Sequence, residues 1–480
     1  MKVSPFRGIR YNQRIVEDLA RVLCPPYDVI TPEQQKIYYE KSNYNAIRLE
    51  FPAESRKPFA SCHSERSEGS HGVHSRLSEA IPNDKYRSAA TTFQQWLKDG
   101  VLQLDGVSSF YLHDHRFEYS GEKKVRRGLI ARVKLEPWGN GIYPHEETFS
   151  KAKSDRLHLV RACRANFSPL LSLYHDPERR IASILSEASR AKPVIETTIP
   201  SFGIRREQDE SSEAHTLWAI TDPEIKRELS QLLSSQSLYI ADGHHRYETA
   251  LNYQQERAQV QSAPFVPYHS EGARWPRNLA QATPYEEFQK EAFNYVMMEL
   301  VDFSDPGLVV LPLHRLVRGI APSTLGGLED QLRNFFVLEF IPLKAGIPDW
   351  SGMSDDSCLG ILGLQLNTLV VLRRCQDISL ETVMPDNRSR AYQEFDVSIL
   401  NHIILDKVLS EAKDLDIAYT VDLKETYQQI EEGKYQLAFL LKPPQPEMVK
   451  AIAEAQGRMP SKSTYFYPKL PTGLVINPLD

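Results

Sequence analysis

Two stretches of this 480-residue chain bring together side chains suited to handling charge. The first is Ser237-Leu-Tyr-Ile-Ala-Asp-Gly-His-His-Arg-Tyr-Glu-Thr-Ala-Leu251. Its apolar run Leu238 to Ala241 predicts a buried strand. Asp242-Gly243 predicts a turn, and Tyr247, Ala250 and Leu251 recur at the spacing of a helix's inner face. A helix N-terminus carries free amide groups and the positive end of the backbone dipole, which makes it an anion site. Asp242, Gly243, His244, His245 and Arg246 at that point fit a group that holds phosphate; a purely structural turn needs only the Asp-Gly pair. The second stretch runs from Ile142 to Val160. His145, Glu146 and Glu147 precede Lys151, Lys153, Asp155 and Arg156, an inventory for both proton transfer and phosphate charge. A solvated, salt-bridged helix start is the plain alternative. Further contacts are expected from Arg164, from His314-Arg315 at a strand end, and from Lys462, Ser463, Thr464 and Lys469 near the chain end.

The surrounding pattern indicates how these residues are positioned. Residues 1–53 read as the N-terminal part of the core. They include a two-proline loop at Cys24–Ile30, a helix capped by Thr31 with Pro32 at its first position, and an alternating, strand-like run from Tyr44 to Pro52. Residues 54–85, rich in Ser, His and charge with little to bury, predict a disordered insertion; His63, His71 and His74 within it are not expected to form a site. Residues 86–255 read as the phosphate-binding domain. It opens on a helix through Ala89, Phe93, Trp96 and Leu97, followed by two strands at Phe110–Tyr119 and Arg127–Leu135 around a turn at Gly121. Strand alternation puts His113 and His115 on one face and Asp114 on the other. A metal shared by the two histidines would need a third ligand from elsewhere, and the sequence signals none. Residues 256–287 predict a loop insertion, residues 288–450 a C-terminal α/β domain, and 451–480 an aromatic, apolar tail docked on the core.

Composition narrows the class. A hydrophobic content of 41% and a charged content of 25% suit a globular protein. A net charge of −6 and pI near 6.2 argue against a DNA-coating role. Five scattered cysteines without a C-x-x-C predict neither a disulfide framework nor a zinc ribbon. No apolar run approaches the roughly 18 residues of a membrane span, and the N-terminus has no signal-like apolar region, so a cytoplasmic location is expected. Walker, Rossmann, H-E-x-x-H, G-x-S-x-G and kinase signatures are all missing.

The blocks Cys24-Pro-Pro-Tyr-Asp-Val-Ile, His145-Glu-Glu-Thr, Asp242-Gly-His-His-Arg-Tyr-Glu-Thr-Ala, Asp305-Pro-Gly-Leu and Lys462-Ser-Thr-Tyr-Phe-Tyr-Pro-Lys resemble the prokaryotic family called domain of unknown function 1015. The resemblance spans nearly the whole chain outside the two insertions. The D-G-H-H-R block is also similar to the phosphate-binding motif of the ParB/sulfiredoxin superfamily. Within that superfamily, free serine kinases carry a Pro-His-Glu segment and an Asp-Gly-His-His-Arg block in the order found here. His244 stands where sulfiredoxin has cysteine, and no basic helix-turn-helix of the ParB kind is present. The resemblance implies an α/β (α+β) fold, a ParB/sulfiredoxin-like nucleotide-binding core with an additional C-terminal α/β domain. It further implies a nucleotide-dependent phosphotransferase acting on a small hydroxylated metabolite, most plausibly free L-serine; a non-catalytic nucleotide-binding regulator is the alternative. On this reading Glu146, with Glu147 as fallback, is the general base. Asp242 holds Mg²⁺ or orients the acceptor hydroxyl. Gly243, His244, His245, Arg246, Lys153 and Arg156 face phosphate, and His145, Arg164, His314, Arg315 and Lys462 are additional contacts. The implied cofactors are ATP or ADP, with CTP a further option, and Mg²⁺. The implied partners are a small-molecule substrate and the nucleotide, with neither membrane nor DNA, and a homodimer is compatible.

Overall fold

The computed structural model describes all residues except 55–83, 147–149, 203–210, 263–290, 344–349, 351–352, 354–356, 376 and 413. The expected insertion at 54–85 therefore lies almost wholly outside the described residues, as do Glu147 and most of 256–287. The helix expected after Asp242 runs from His244 to Ser262, beyond the boundary placed at 255.

The fold is α/β, built on a nine-stranded mixed sheet. From one edge, its strands are Ile142–Tyr143, Leu238–Asp242, Leu170–Tyr174, Tyr295–Asp302, Glu122–Lys134, Phe110–Tyr119, Ser212–Ile220 and Ile195–Pro200. The short strand Val3–Ser4 pairs with Val133 and Arg132, beyond the stretch of Glu122–Lys134 that Phe110–Tyr119 covers. The Phe110–Tyr119 hairpin closes through Ser120 and Gly121, both at positive φ, the backbone a two-residue hairpin turn requires. One face carries Leu112, Leu129, Ile240, Met298 and Leu300 and is covered by Tyr247 of the His244–Ser262 helix and Leu229 of the Pro223–Ser234 helix. The opposite face packs Tyr111, Ile130 and Met297 against Phe6, Ile9 and the Asp84–Lys98 helix, whose Ala89, Phe93 and Trp96 are buried at helical spacing.

A second, six-stranded antiparallel sheet has the order Phe336–Pro342, Thr368–Arg374, Ser357–Leu362, Leu437–Leu440, His314–Arg318, Asp416–Thr420. Asp396–Ile399 and the wider-wound Leu400–Val408 form one continuous helical segment on its apolar face.

Two expectations differ from the structure. Tyr44–Pro52 forms a short helix at Ile47–Glu50, entered through a turn in which Asn45 Oδ1 accepts from the Ile47 amide at 3.0 Å. Tyr295–Asp302, expected in the C-terminal domain, is a central strand of the large sheet. An apolar run such as Tyr-Val-Met-Met-Glu-Leu-Val reads alike whichever sheet recruits it, since pairing depends on partners remote in sequence.

Candidate active site

The strand Leu238–Asp242 is buried up to Ala241 and then presents Asp242 at its C-terminal end. The chain reverses at Gly243, where φ is +97°. A Cβ there would lie 2.9 Å from Leu170 Cγ and 3.1 Å from the Arg246 guanidinium, so both backbone and neighbours require glycine. The first helical bond, from the Tyr247 amide to the Gly243 carbonyl, measures 3.0 Å and leaves the preceding amides without intrahelical acceptors.

Asp242 carries two cations. Its Oδ2 accepts from Arg246 Nη2 at 2.8 Å, and its Oδ1 accepts from Lys469 Nζ, an ion pair across 227 positions of sequence. Burial alone would raise the Asp242 carboxyl; Lys469 and then Arg246 reverse this and hold it well below the usual carboxylate range. Asp242 in turn raises Lys469 and Arg246 against their own burial. Arg246 Nη1 also donates to Ser168 Oγ at 2.9 Å and to the Pro169 carbonyl at 2.8 Å. As a Mg²⁺ ligand, Asp242 would have to release one of these cations, since magnesium demands oxygen donors in a strict octahedron. Asp28 and the second oxygen of Glu146 lie nearby and make no hydrogen bond to a described side chain.

The two sequence stretches meet. The His145 amide donates to His244 Nε2 at 3.2 Å. His145 Nδ1 donates to the Ile240 carbonyl at 2.6 Å, so Nε2 accepts from Thr464 Oγ1 at 2.9 Å. Burial lowers both imidazoles, His244 more strongly, which keeps them neutral and fixes the His244 proton on Nδ1. Glu146 Oε1 accepts from the amides of Ser463 and Thr464, at 3.1 and 3.3 Å, with Thr464 Oγ1 at 3.2 Å. Arg315, itself buried, grips the Lys462 carbonyl at 2.8 Å and so fixes the loop that holds Glu146. His245 is half-buried at the mouth. Burial opposes its charging, while Asp28, Glu248 and Glu146 favour it and Lys462 opposes it. Lys462 is exposed there. Lys153 pairs with Glu248 at 2.8 Å, and Arg458 reaches the other Glu248 oxygen at 3.6 Å.

Other predicted contacts sit elsewhere or are already engaged. Arg156 lies behind the mouth, donating to the Glu50 carbonyl at 2.6 Å and stacked 4.0 Å over the Tyr27 ring. Arg164 points away and pairs with Asp480 at 3.4 Å. His314 accepts from the Leu441 amide at 3.1 Å inside the second sheet's core, and burial pushes it down to about 4. The sequence inventory missed Asp28, whose charge reaches His245, Arg246 and Lys469. Its signal was the rigid Cys24-Pro-Pro-Tyr-Asp loop, which has little reason to be so constrained unless it presents something. Arg458 was missed as well.

Among the described residues, no helix is long and apolar enough to cross a membrane. A family model described as "Protein of unknown function (DUF1015)" matches residues 3–398. No curated protein matches the chain. Similar solved structures include a free serine kinase variant in complex with AMP, 12% identical with a TM-score of 0.33, the alignment covering 70% of this chain and 87% of that one. A conserved hypothetical protein from Pyrococcus furiosus is 13% identical with a TM-score of 0.31, covering 71% and 93%. SbnI with C-terminal truncation, from Staphylococcus aureus, is 10% identical with a TM-score of 0.31, covering 70% and 82%.

Proposed function

The chain belongs to this family, DUF1015, and we propose that it is a nucleotide-dependent phosphotransferase acting on a small hydroxylated metabolite, with free L-serine the first acceptor to test. One observation carries the reading: a carboxylate with one oxygen pinned, Glu146, shares a mouth with the N-terminal turn of the His244–Ser262 helix. Two backbone amides hold Glu146 Oε1, which leaves Oε2 to accept the acceptor's hydroxyl proton. The helix N-terminus and Lys462 supply positive potential for the transferring phosphoryl group and its neighbour, with the neutral His245 ring beside them as a hydrogen-bonding group. Asp242 orients Arg246 and Lys469 rather than meeting substrate. Mg²⁺ arriving with ATP or ADP would neutralise phosphate charge, and the Asp28 carboxylate is the group suited to hold it. Because phosphoryl transfer is catalysed mostly by positioning and charge neutralisation, this inventory needs no covalent intermediate.

Coupled assays with ATP or ADP and a panel of hydroxylated amino acids test the reading. Glu146→Gln is expected to lower kcat by about 10²–10⁴ while nucleotide affinity is retained. Unchanged turnover in that variant would remove Glu146 as base. The neutralisation of Asp242 by two cations favours a second reading, a turn that holds nucleotide without activating it. Calorimetric binding with no turnover across the panel would establish that regulator instead.

A further inference from the structure

The large sheet carries a polar inlay that phosphate chemistry does not use. On one face, between the apolar cluster of Tyr111 and Ile130 and the smaller one of Phe117, Leu311 and Tyr467, lie His113, His115, Arg126, Glu213, His215 and Glu299. All six are buried, none more than 1% exposed. His115 stands directly across from His215 on one neighbouring strand and from Arg126 on the other. Its ring centroid is 4.1 Å from that of His215.

Burying six polar groups in the middle of a sheet is costly unless each is satisfied, and these are not. The hydrogen bonds can be followed from one end. Glu299 Oε2 accepts from His113 Nδ1 at 3.0 Å, so His113 Nε2 is the acceptor for His215 Nδ1, also at 3.0 Å. That leaves His215 Nε2 with a lone pair, buried and without a partner among the described residues. Beside it, His115 Nε2 meets Glu213 Oε2 at 2.8 Å. One ligand atom from each of His115, Glu213 and His215 lies within 4.8 Å of the others.

We propose that His115, Glu213 and His215 bind a divalent transition metal, with zinc the expected occupant. Two imidazoles and one carboxylate are a borderline-soft donor set that suits zinc or iron(II) and not magnesium or calcium. The His113–Glu299 pair is the outer support usual for such sites: a carboxylate fixes one ring, and that ring fixes the tautomer of the ligand His215. Gly128 makes room for it, since a Cβ there would lie 2.4 Å from Glu299 Oε1. Metal entry replaces the His115–Glu213 hydrogen bond. His115 moves its proton from Nε2 to Nδ1, and Glu213 binds as the carboxylate, any proton it carries passing to solvent. Arg126 Nη2, which donates to His115 Nδ1 at 3.2 Å, must then turn away. Glu299, with Oε1 unpartnered, lies within electrostatic reach to receive it. Arg126 Nη1 meanwhile donates to the Pro468 carbonyl at 2.8 Å, next to Lys469, so the site abuts the support of the phosphate turn.

Metal analysis of the full-length protein, purified without chelator, tests this independently of any phosphotransfer. About one equivalent of zinc or iron per chain is expected. Because the ligands are buried, a second sample is refolded from denaturant with Co²⁺, and the visible d–d bands of a low-coordinate site are expected. Glu299→Gln, which keeps the side-chain shape, is expected to weaken Co²⁺ affinity by about 10–100-fold. Glu213→Gln and His215→Gln are expected to abolish the bands. Folded wild-type protein that contains no transition metal and gives no bands after refolding with Co²⁺ would overturn the proposal, whatever the variants do.

Discussion

Replacing Lys469 by methionine removes a charge and keeps most of the side chain's volume, so it isolates the ion pair to Asp242. Lys469, Asp242 and Arg246 have side chains only 9%, 15% and 12% exposed, so water supplies little compensation. Removing one partner of a buried pair costs about 3–5 kcal/mol. In Lys469→Met, Asp242 keeps Arg246 at 2.8 Å, which places the loss at the lower end, about 3 kcal/mol. Asp242→Asn leaves two cations facing each other and belongs at the upper end, about 5 kcal/mol. The double variant Asp242→Asn/Lys469→Met removes both members, and its loss should fall short of the sum of the single losses by about 2 kcal/mol. Urea unfolding at neutral pH measures all three. The pH dependence has a fixed sign. The Asp242 carboxyl is depressed in the fold, so its contribution is complete above the ordinary carboxylate range and fades as acid is added through and below it. The gap between wild type and Asp242→Asn should therefore narrow in acid. Strictly additive losses, or a gap that widens in acid, would refute the claim that Lys469 and Asp242 are a coupled ion pair at the Gly243 turn.

Gly243→Ala tests the turn itself. A non-glycine residue at φ +97° costs about 1–3 kcal/mol, and the contact with Leu170 adds to it, so thermal unfolding should shift down and phosphate or nucleotide affinity should fall together. In the C-terminal half, burial pushes the Asp396 carboxyl from its usual 3.8 up to about 7, partly offset by Lys442. Because the folded value is raised, the fold favours the protonated form, and stability is lost as pH rises through that interval. Asp396→Asn should be neutral in acid and stabilising above about pH 8, by at most about 4 kcal/mol, with unfolding curves across pH as the measurement.

Local chemistry was legible where it is self-contained. Thr31-Pro32 announces a helix start, and the structure forms the full capping box, with Gln34 returning the bond to the Thr31 amide at 2.9 Å. The Leu238–Asp242 strand, the Gly243 turn and the helix that follows are encoded within fifteen residues. Tyr44–Pro52 misled because a few alternating residues cannot distinguish a strand from one helical turn once a turn-forming side chain such as Asn45 precedes it. The partners that join His115 in the buried polar cluster were invisible for another reason. Glu213 and His215 lie about a hundred positions downstream, on a strand whose register against Phe110–Tyr119 is set by pairing rather than by composition. Asp28 and Arg458 enter the site in the same way, from loops whose meeting point no local pattern specifies.

The tail shows why the candidate site needs so much of the chain. The family match ends at residue 398, yet Ser463, Thr464 and Lys469 lie beyond it and touch Glu146 and Asp242. The segment is held along its length. Tyr465–Tyr467 pairs with Val309–Leu311, Thr472 bonds Cys24 in both directions, Ile476 pairs with Ile9, and Asn477–Pro478 pairs with Ala165–Asn166. Each anchor lies beside a different segment of the chain: the Asp305 loop, the two-proline loop, the N-terminal strand and the turn before Ser168. Phe466, Leu474, Val475 and Ile476 are buried, and each contributes about 1.5–3 kcal/mol of burial, so the tail's position follows from packing rather than from its two charged contacts. The ion pair to Asp242 and the hydroxyl beside Glu146 are then placed by a segment already fixed for other reasons. Preorganisation of that kind is what a charge-positioning mechanism requires.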